Sequence, residues 1–332
     1  MVFTKEQIID FIEELIIEPR KNCAKWSKVT DQTATLRIGY PGQHLASLVT
    51  GVKGEKSGAR GNDLSDGSEV KSCSRVDQLD KCEDCDSPVL RREEKCGNCD
   101  STNIKRNNDS KWLFTIRSED DLKTLVDNPN LNRVVLIIDD YPNFDDGNYE
   151  DIRIQIFEIY PKETRHKRFK EIMTNYYYKI YLEHKKQNPA KTPAPKNFWP
   201  YQYQFYLCNP ILIFKATIKD AYTENPKLVI DEWIKPDKDR KDVDSILMPA
   251  NILKKDEFKT ILEKAEEAEV ISCLLDETSY DIFEESVNED SDLDEIQELF
   301  SGIDENLREN LELRDTDKIS TAKTKYERKT HS

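Results

Sequence analysis

Gly61-Asn62-Asp63-Leu64-Ser65-Asp66-Gly67-Ser68-Glu69-Val70-Lys71 decides how the rest of the chain is read. An acid enters a tight polar turn, and an acid and a lysine leave it two residues apart. Alternate residues of a strand point to one face, so a strand over Glu69-Val70-Lys71 projects Glu69 and Lys71 together. Asp63, at the end of the segment entering the turn, reaches the same point. Two converging carboxylates and one ammonium describe a place for a hard divalent cation beside a scissile phosphate. In that arrangement Asp63 and Glu69 bind Mg2+. Lys71 positions the attacking water or stabilises charge in the transition state. Asp66 competes for the role of first acid, but its spacing from Glu69 leaves it in the turn. The competing reading is a polar hairpin on a charged surface, since Asp-Gly turns flanked by charges are common.

Upstream, residues 51–61 hold four glycines and the cations Lys53, Lys56 and Arg60. This composition predicts a loop whose cations lie against a phosphate backbone. It is not a P-loop, because Glu55, not glycine, precedes Lys56. Before it, residues 4–18 predict a helix stopped at Pro19, and Thr33 to Ile38 a short strand. Gly39-Tyr40-Pro41-Gly42 predicts a turn, and Gln43 to Thr50 one or two helical turns.

Downstream come Cys82-Glu83-Asp84-Cys85 and Cys96-Gly97-Asn98-Cys99, a C-x2-C-x10-C-x2-C array. Four thiolates at this spacing call for tetrahedral Zn2+ in a closed, structural site. Gly97 suits the tight knuckle turn. Cys23, Cys73, Cys208 and Cys273 are expected to be ordinary thiols, although Cys73 lies near enough to Cys82 to substitute for it.

Three apolar runs follow: 112–116, 134–138 and 152–159. The second reads as a buried central strand and the third, which alternates, as a half-exposed one. Asp139-Asp140 closes the second run as a rival metal site, with no lysine at a useful offset. Residues 165–186 predict a helix whose Arg165, Lys167 and Arg168 open a basic stretch able to track a phosphate backbone. Tyr201 to Lys219 and Leu228 to Ile234 suggest two more strands, and residues 255–272 a helix. The fold class expected is α/β with a central mixed sheet flanked by helices. It divides into residues 1–81 with the catalytic motif, a zinc module at 82–99, and the rest of the core at 100–187. A C-terminal α/β segment for DNA recognition or dimerisation follows at 196–272, then an acidic flexible tail at 273–332.

The net charge of −15 looks unsuited to a nucleic-acid enzyme, but it is unevenly placed. Residues 265–315 hold 19 Asp/Glu against Arg308 and Arg314, a balance of −17, and residues 317–332 contribute +3. Residues 1–264 therefore carry about −1, and a local basic face is free to form there. The acidic block 276–298 is expected to be loose and to cover that basic surface. No run approaches the roughly 20 apolar residues of a membrane span. The N-terminus lacks the order of a signal peptide, and eight cysteines without an export signal favour metal over disulfides. The protein is expected to be cytoplasmic.

The set Asp63…Gly67-Ser68-Glu69-Val70-Lys71 resembles the PD-(D/E)xK nuclease motif. Gly42-Gln43-His44-Leu45 ahead of it is similar to the branch containing type II restriction endonucleases and a related mismatch-repair nicking enzyme. With the cysteine array directly afterwards, the chain resembles the MamI-type restriction endonucleases over about residues 40–117. This resemblance implies a restriction-endonuclease-like core and Asp63, Glu69 and Lys71 as the catalytic triad. It further implies Mg2+-dependent cutting of double-stranded DNA at a specific sequence, as a homodimer with a cognate DNA methyltransferase as genetic partner. No proline precedes Asp63, and the helix before it lacks an acid where relatives often place one. The rival expectations are a repair or nicking nuclease and a non-catalytic zinc-ribbon DNA-binding protein.

Overall fold

The computed structural model describes residues 3–30, 32–55, 62–267 and 302–314. Its centre is a five-stranded sheet. In chain order the strands of the molecule are β1 (Glu69–Ser74), β2 (Asp80–Cys82), β3 (Pro88–Val89), β4 (Ile104–Lys105), β5 (Trp112–Phe114), β6 (Val134–Asp140), β7 (Ile152–Ile159), β8 (Lys196–Phe198), β9 (Ile211–Lys219) and β10 (Lys227–Trp233). The central sheet runs β1-β6-β7-β9-β10. β1 pairs parallel to β6, and every other neighbour is antiparallel. The sheet is therefore mixed, as expected.

Strand alternation divides the interior in two. Val134, Leu136 and Ile138 enter one core with Cys73, Phe157 and Phe169. Val135 and Ile137 enter the other with Val70, Leu45 and Val49. β6 is buried along its whole length. β7 is buried almost as fully, not half-exposed, because it lies between β6 and β9 with a core on each face. Alternation in its sequence marks Arg153 and Gln155, whose polar ends are paired, not solvent-facing.

The N-terminal helix departs most from expectation. Thr4 and Gln7 form a capping box that starts it. Lys5–Ile12 then continues through a π turn, Glu13–Ile17, into Glu18–Thr30. Pro19 does not end it. A proline clashes with the carbonyl four residues back, and the wider π turn just before Pro19 makes the room. Residues 33–38 are irregular, not a strand, and Gly39-Tyr40-Pro41-Gly42 is the first turn of the helix Gly39–Thr50. Pro41 suits a helix's first turn, where its missing N–H has no partner to lose.

The basic helix runs Lys167–Asn175, a π turn Tyr176–Tyr181, and Leu182–Gln187. Tyr201 to Lys219 is a short helix, Tyr203–Leu207, followed by β9. Residues 196–267 do not stand apart, since β9 and β10 complete the central sheet and β8 pairs with β5. Within the tail, residues 302–314 are packed, with Ile303, Leu307, Leu311 and Leu313 buried in the first core. The block 276–298 lies outside the described residues. Among the described residues, no helix is long and apolar enough to cross a membrane.

Candidate active site and metal centre

Asp63 sits at the mouth of a turn that only its own sequence could make. Gly67 has φ +86°, and a Cβ there would fall 1.6 Å from the Asn130 carbonyl oxygen. The Leu64 amide donates to the Ser68 carbonyl at 3.2 Å, and the Gly67 amide to the Leu64 carbonyl at 3.0 Å. Asp66 is consumed inside this turn by the Ser68 amide, Asn132 and Arg133, at 2.8–3.0 Å. That leaves Asp63 to face the strand. Its Oδ2 accepts the Val70 amide at 2.8 Å, so its carboxylate is pinned between Glu69 and Lys71.

Glu69 and Lys71 project from β1 on the same side as Cys73, and their side chains form an ion pair. Each is about a quarter exposed. The Lys71 ammonium also lies 5.9 Å from the centre of the Phe114 ring. The three residues are thus brought together at the edge of the sheet. Burial, with help from the Glu69 charge, holds the Asp63 carboxyl above the usual carboxylate range, against the Val70 hydrogen bond. Two carboxylates share one lysine there, and hard oxygen donors with an unbalanced negative charge fit Mg2+.

Gln43 touches the site in a way that spacing did not reveal. Its side-chain amide donates to Asp63 Oδ1 at 2.6 Å. The helix carrying it lies directly on β1: a Cβ on Gly42 would meet Ser72 Oγ at 2.1 Å. A second unforeseen group is Glu158, fully buried in β7. It accepts from Arg133 and from Arg240, each at 2.9 Å. Arg133 reaches on to Asp66 and Ser68 in the turn, and Arg240 to the Val49 carbonyl near the end of the Gln43 helix. One buried carboxylate therefore braces both supports of Asp63. No sequence signal marks this, because the three residues come from distant segments.

A polar cavity of about 540 Å³ opens behind the turn, lined by Asn62, Asp66, Asn130, Lys162 and Lys241 among others. None of Asp63, Glu69 and Lys71 lines it. Glu69 and Lys71 stand instead on the edge strand of the sheet with Asp63 beside them, outside that cavity, which suits a polymer rather than an enclosed small molecule.

The four cysteines meet as expected. Cys82 and Cys99 Sγ are 3.6 Å apart, Cys85 and Cys96 Sγ 3.5 Å, and all four sulfurs lie within 4.8 Å of one another. A tetrahedron with Zn–S near 2.3 Å has edges of about 3.8 Å, so the cluster fits Zn2+. It does not fit disulfides, whose bond is about 2.05 Å. Each pair makes a knuckle in which the amide of the fifth residue returns to the first cysteine's carbonyl: Asp86 to Cys82 at 3.0 Å and Asp100 to Cys96 at 2.9 Å. The left-handed positions are Asp86 and Asp100, not Gly97. Strands β2, β3 and β4 form a small sheet, β3-β2-β4, around this centre. Cys73 belongs to the central core and takes no part.

Buried Asp80 anchors the module through Arg91 and Arg106, each at 2.8 Å. Arg91 lies over Phe144 and Tyr149, and Arg92 over Tyr222, which ties the module to the main body. Gln78 and Asp109 exchange two hydrogen bonds and close its base.

The expected backbone contacts divide. Lys53 is exposed beside the turn, where its carbonyl accepts the Ser65 amide at 2.8 Å. Lys56 and Arg60 lie outside the described residues. Arg165 and Arg168 are turned inward. Arg165 donates to the Lys241 carbonyl and pairs with Glu305, while Arg168 donates to the Leu311 carbonyl and pairs with Glu171. Lys167 pairs with Glu309 at 3.6 Å. These cations clasp the segment 302–314 and do not form an open phosphate track. The rival acids are also committed: Asp139 to Arg20 and Asp140 to Arg153.

Comparison with known proteins identifies the family. The family described as MamI restriction endonuclease matches residues 25–251. The type II restriction enzyme MamI of Microbacterium ammoniaphilum is 34% identical over 82 residues, covering 24% of this chain and 27% of that protein. The match thus spans about a quarter of the relative's length. No solved structure matches. The matched residues take in Asp63, Glu69 and Lys71, the cysteine module and all five strands of the central sheet, and the chain belongs to the MamI restriction endonuclease family.

Proposed function

We propose that this protein is a type II restriction endonuclease with a restriction-endonuclease-like core, hydrolysing phosphodiester bonds of double-stranded DNA at a specific sequence. The observation that carries the reading is the Asp63 carboxylate fixed to the Val70 amide between Glu69 and Lys71, in a chain of this family. Asp63 and Glu69 would hold Mg2+, which supplies Lewis-acid stabilisation of the attacked phosphate and acidifies a bound water. Gln43 and the Val70 amide hold Asp63 in place before the metal arrives. Lys71, paired with Glu69, aligns the attacking water. The water oxygen bonds to phosphorus as one P–O ester bond breaks, and the departing oxygen takes up a proton. The four cysteines hold Zn2+ and take no part in the chemistry. A palindromic site is read most simply by a two-fold protein, so a homodimer with a cognate methyltransferase as genetic partner completes the reading.

Plasmid or phage DNA incubated with the protein and Mg2+ tests this. Discrete double-strand fragments are expected. Nicked circles alone would move the assignment to a nicking enzyme, and binding without cleavage would end the nuclease reading.

A further inference from the structure

The segment from Lys111 to Arg117 alternates without a break. Trp112, Phe114 and Ile116 are buried, whereas Leu113, Thr115 and Arg117 are exposed and Lys111 is partly so. β5 pairs antiparallel with β8, placing Leu113 opposite Asn197 and the two flanking residues, Lys111 and Trp199, side by side. The Lys111 ammonium lies 4.3 Å from the centre of the Trp199 ring. The outcome is a two-stranded ribbon with one packed face and one outer face. The packed face is tied down where Trp112 Nε1 donates to the Ile137 carbonyl at 2.8 Å. The outer face carries Lys111, Leu113, Thr115, Arg117, Asn197 and Trp199. The side chains of Thr115 and Asn197 make no hydrogen bond to a described residue.

This ribbon stands beside the reacting groups. Phe114, on its packed face, is the ring 5.9 Å from the Lys71 ammonium. Trp112 and Phe114 share a core with Cys73, so the ribbon stacks on the side of the sheet from which Glu69 and Lys71 project. A major groove is about 12 Å wide and admits a two-stranded ribbon. Leu113 adjoins Phe114 in the chain, so a duplex bound at Lys71 lies close to the outer face of the ribbon. Lys111 and Arg117 are six residues apart, a span of at most about 20 Å if the chain is fully extended. That is enough to bracket the groove with cations while smaller polar and apolar side chains lie between them.

We propose that the β5–β8 ribbon is the DNA-reading element, with Asn197, Thr115 and Leu113 facing base edges and Lys111 and Arg117 the flanking phosphates. This rests on the nuclease reading for its substrate, and a two-part experiment separates the two. Wild-type protein with Mg2+ first cuts phage DNA, and the fragment ends give the site. Short duplexes carrying that site or a scrambled one are then bound with Ca2+ in place of Mg2+. Asn197→Ala and Leu113→Ala should lose about 5- to 150-fold affinity for the site, with scrambled duplex unaffected. Lys111→Ala and Arg117→Ala should weaken both duplexes alike, each lowering the salt slope by about 1. All four side chains point outward, and thermal melting checks that the variants fold. Wild-type affinity and salt slope in all four would overturn the ribbon while leaving the nuclease standing. If the wild type cuts nothing, the nuclease reading fails alone, and the same variants are judged on duplexes the wild type selects from a randomised pool. A wild type that neither cuts nor selects any duplex overturns both.

Discussion

Lys71 owes its position to the pleat of β1, not to a loop, so its ammonium is held where Glu69 also points. Lys71→Met keeps the aliphatic stem and removes the charge. Cleavage should fall by about 10³-fold, the scale of losing one transition-state donor, with duplex binding in Ca2+ within about twofold. A variant that still cuts at a tenth of the wild-type rate would reject the assignment. Gln43 acts through Asp63, and outer partners of metal ligands are typically worth about 10- to 100-fold. Gln43→Ala should therefore raise the Mg2+ concentration for half-maximal rate by that factor, with a smaller change in the rate at saturating metal. An unchanged Mg2+ requirement would make the 2.6 Å contact merely structural. Gly67 is the residue that the turn cannot replace. Gly67→Ala should cost at least about 1–3 kcal/mol in urea denaturation, from the left-handed backbone alone.

Among the elements, the cysteine ribbon was the most legible, because four sulfurs that meet at one point leave a spacing that no packing requirement produces. The acid–turn–acid-x-lysine element was legible too, since period-2 projection and a glycine turn are both local rules. The N-terminal helix was misread at Pro19, because a π turn leaves no mark in a periodicity count. The C-terminal segment was misread for a different reason. Its acids Glu305 and Glu309 obey the composition of a loose tail, while Ile303, Leu307, Leu311 and Leu313 are few and widely spaced. Arg308 joins them inside, donating to Asn209 Oδ1 at 2.7 Å. Leu307→Ala should cost about 2–4 kcal/mol; a change below about 0.5 kcal/mol would return this segment to the tail.

At the scale of the whole molecule, the sheet order could not be read from any one strand. β1 lies beside β6, although residues 80–105 and β5 intervene in the chain. Contacts of that kind depend on what distant segments bury, and Glu158 with its two arginines is another instance. Arg20 shows the same feature at the far end of β1. It joins the N-terminal helix to Asp77 at 2.7 Å and to Asp139 at 3.3 Å. Complete burial, reinforced by the nearby Asp77 charge, pushes the Asp139 carboxyl up to about 7 despite Arg20. An unfolded aspartate titrates near 3.9, so the folded chain holds this proton more tightly. The associated stability is fully present below about pH 4, falls as pH rises towards 7, and levels off above it. Asp139→Asn should flatten that fall in urea midpoints taken between pH 4 and 7, and an unaltered slope would count against it.

The clamp between Gln78 and Asp109 bears on how fast β1 finds its place. Glu69 and Val134 are partners 65 positions apart. The clamp short-circuits 31 of those positions once the cysteine module has closed. Chain-closure entropy changes by about 0.6 kcal/mol for each halving of a loop, so a pre-closed module should speed β1–β6 pairing about threefold. Refolding in the presence of a zinc chelator should slow by that factor. The cysteine module's service to the edge strand is then kinetic, given once in the life of each molecule, during folding.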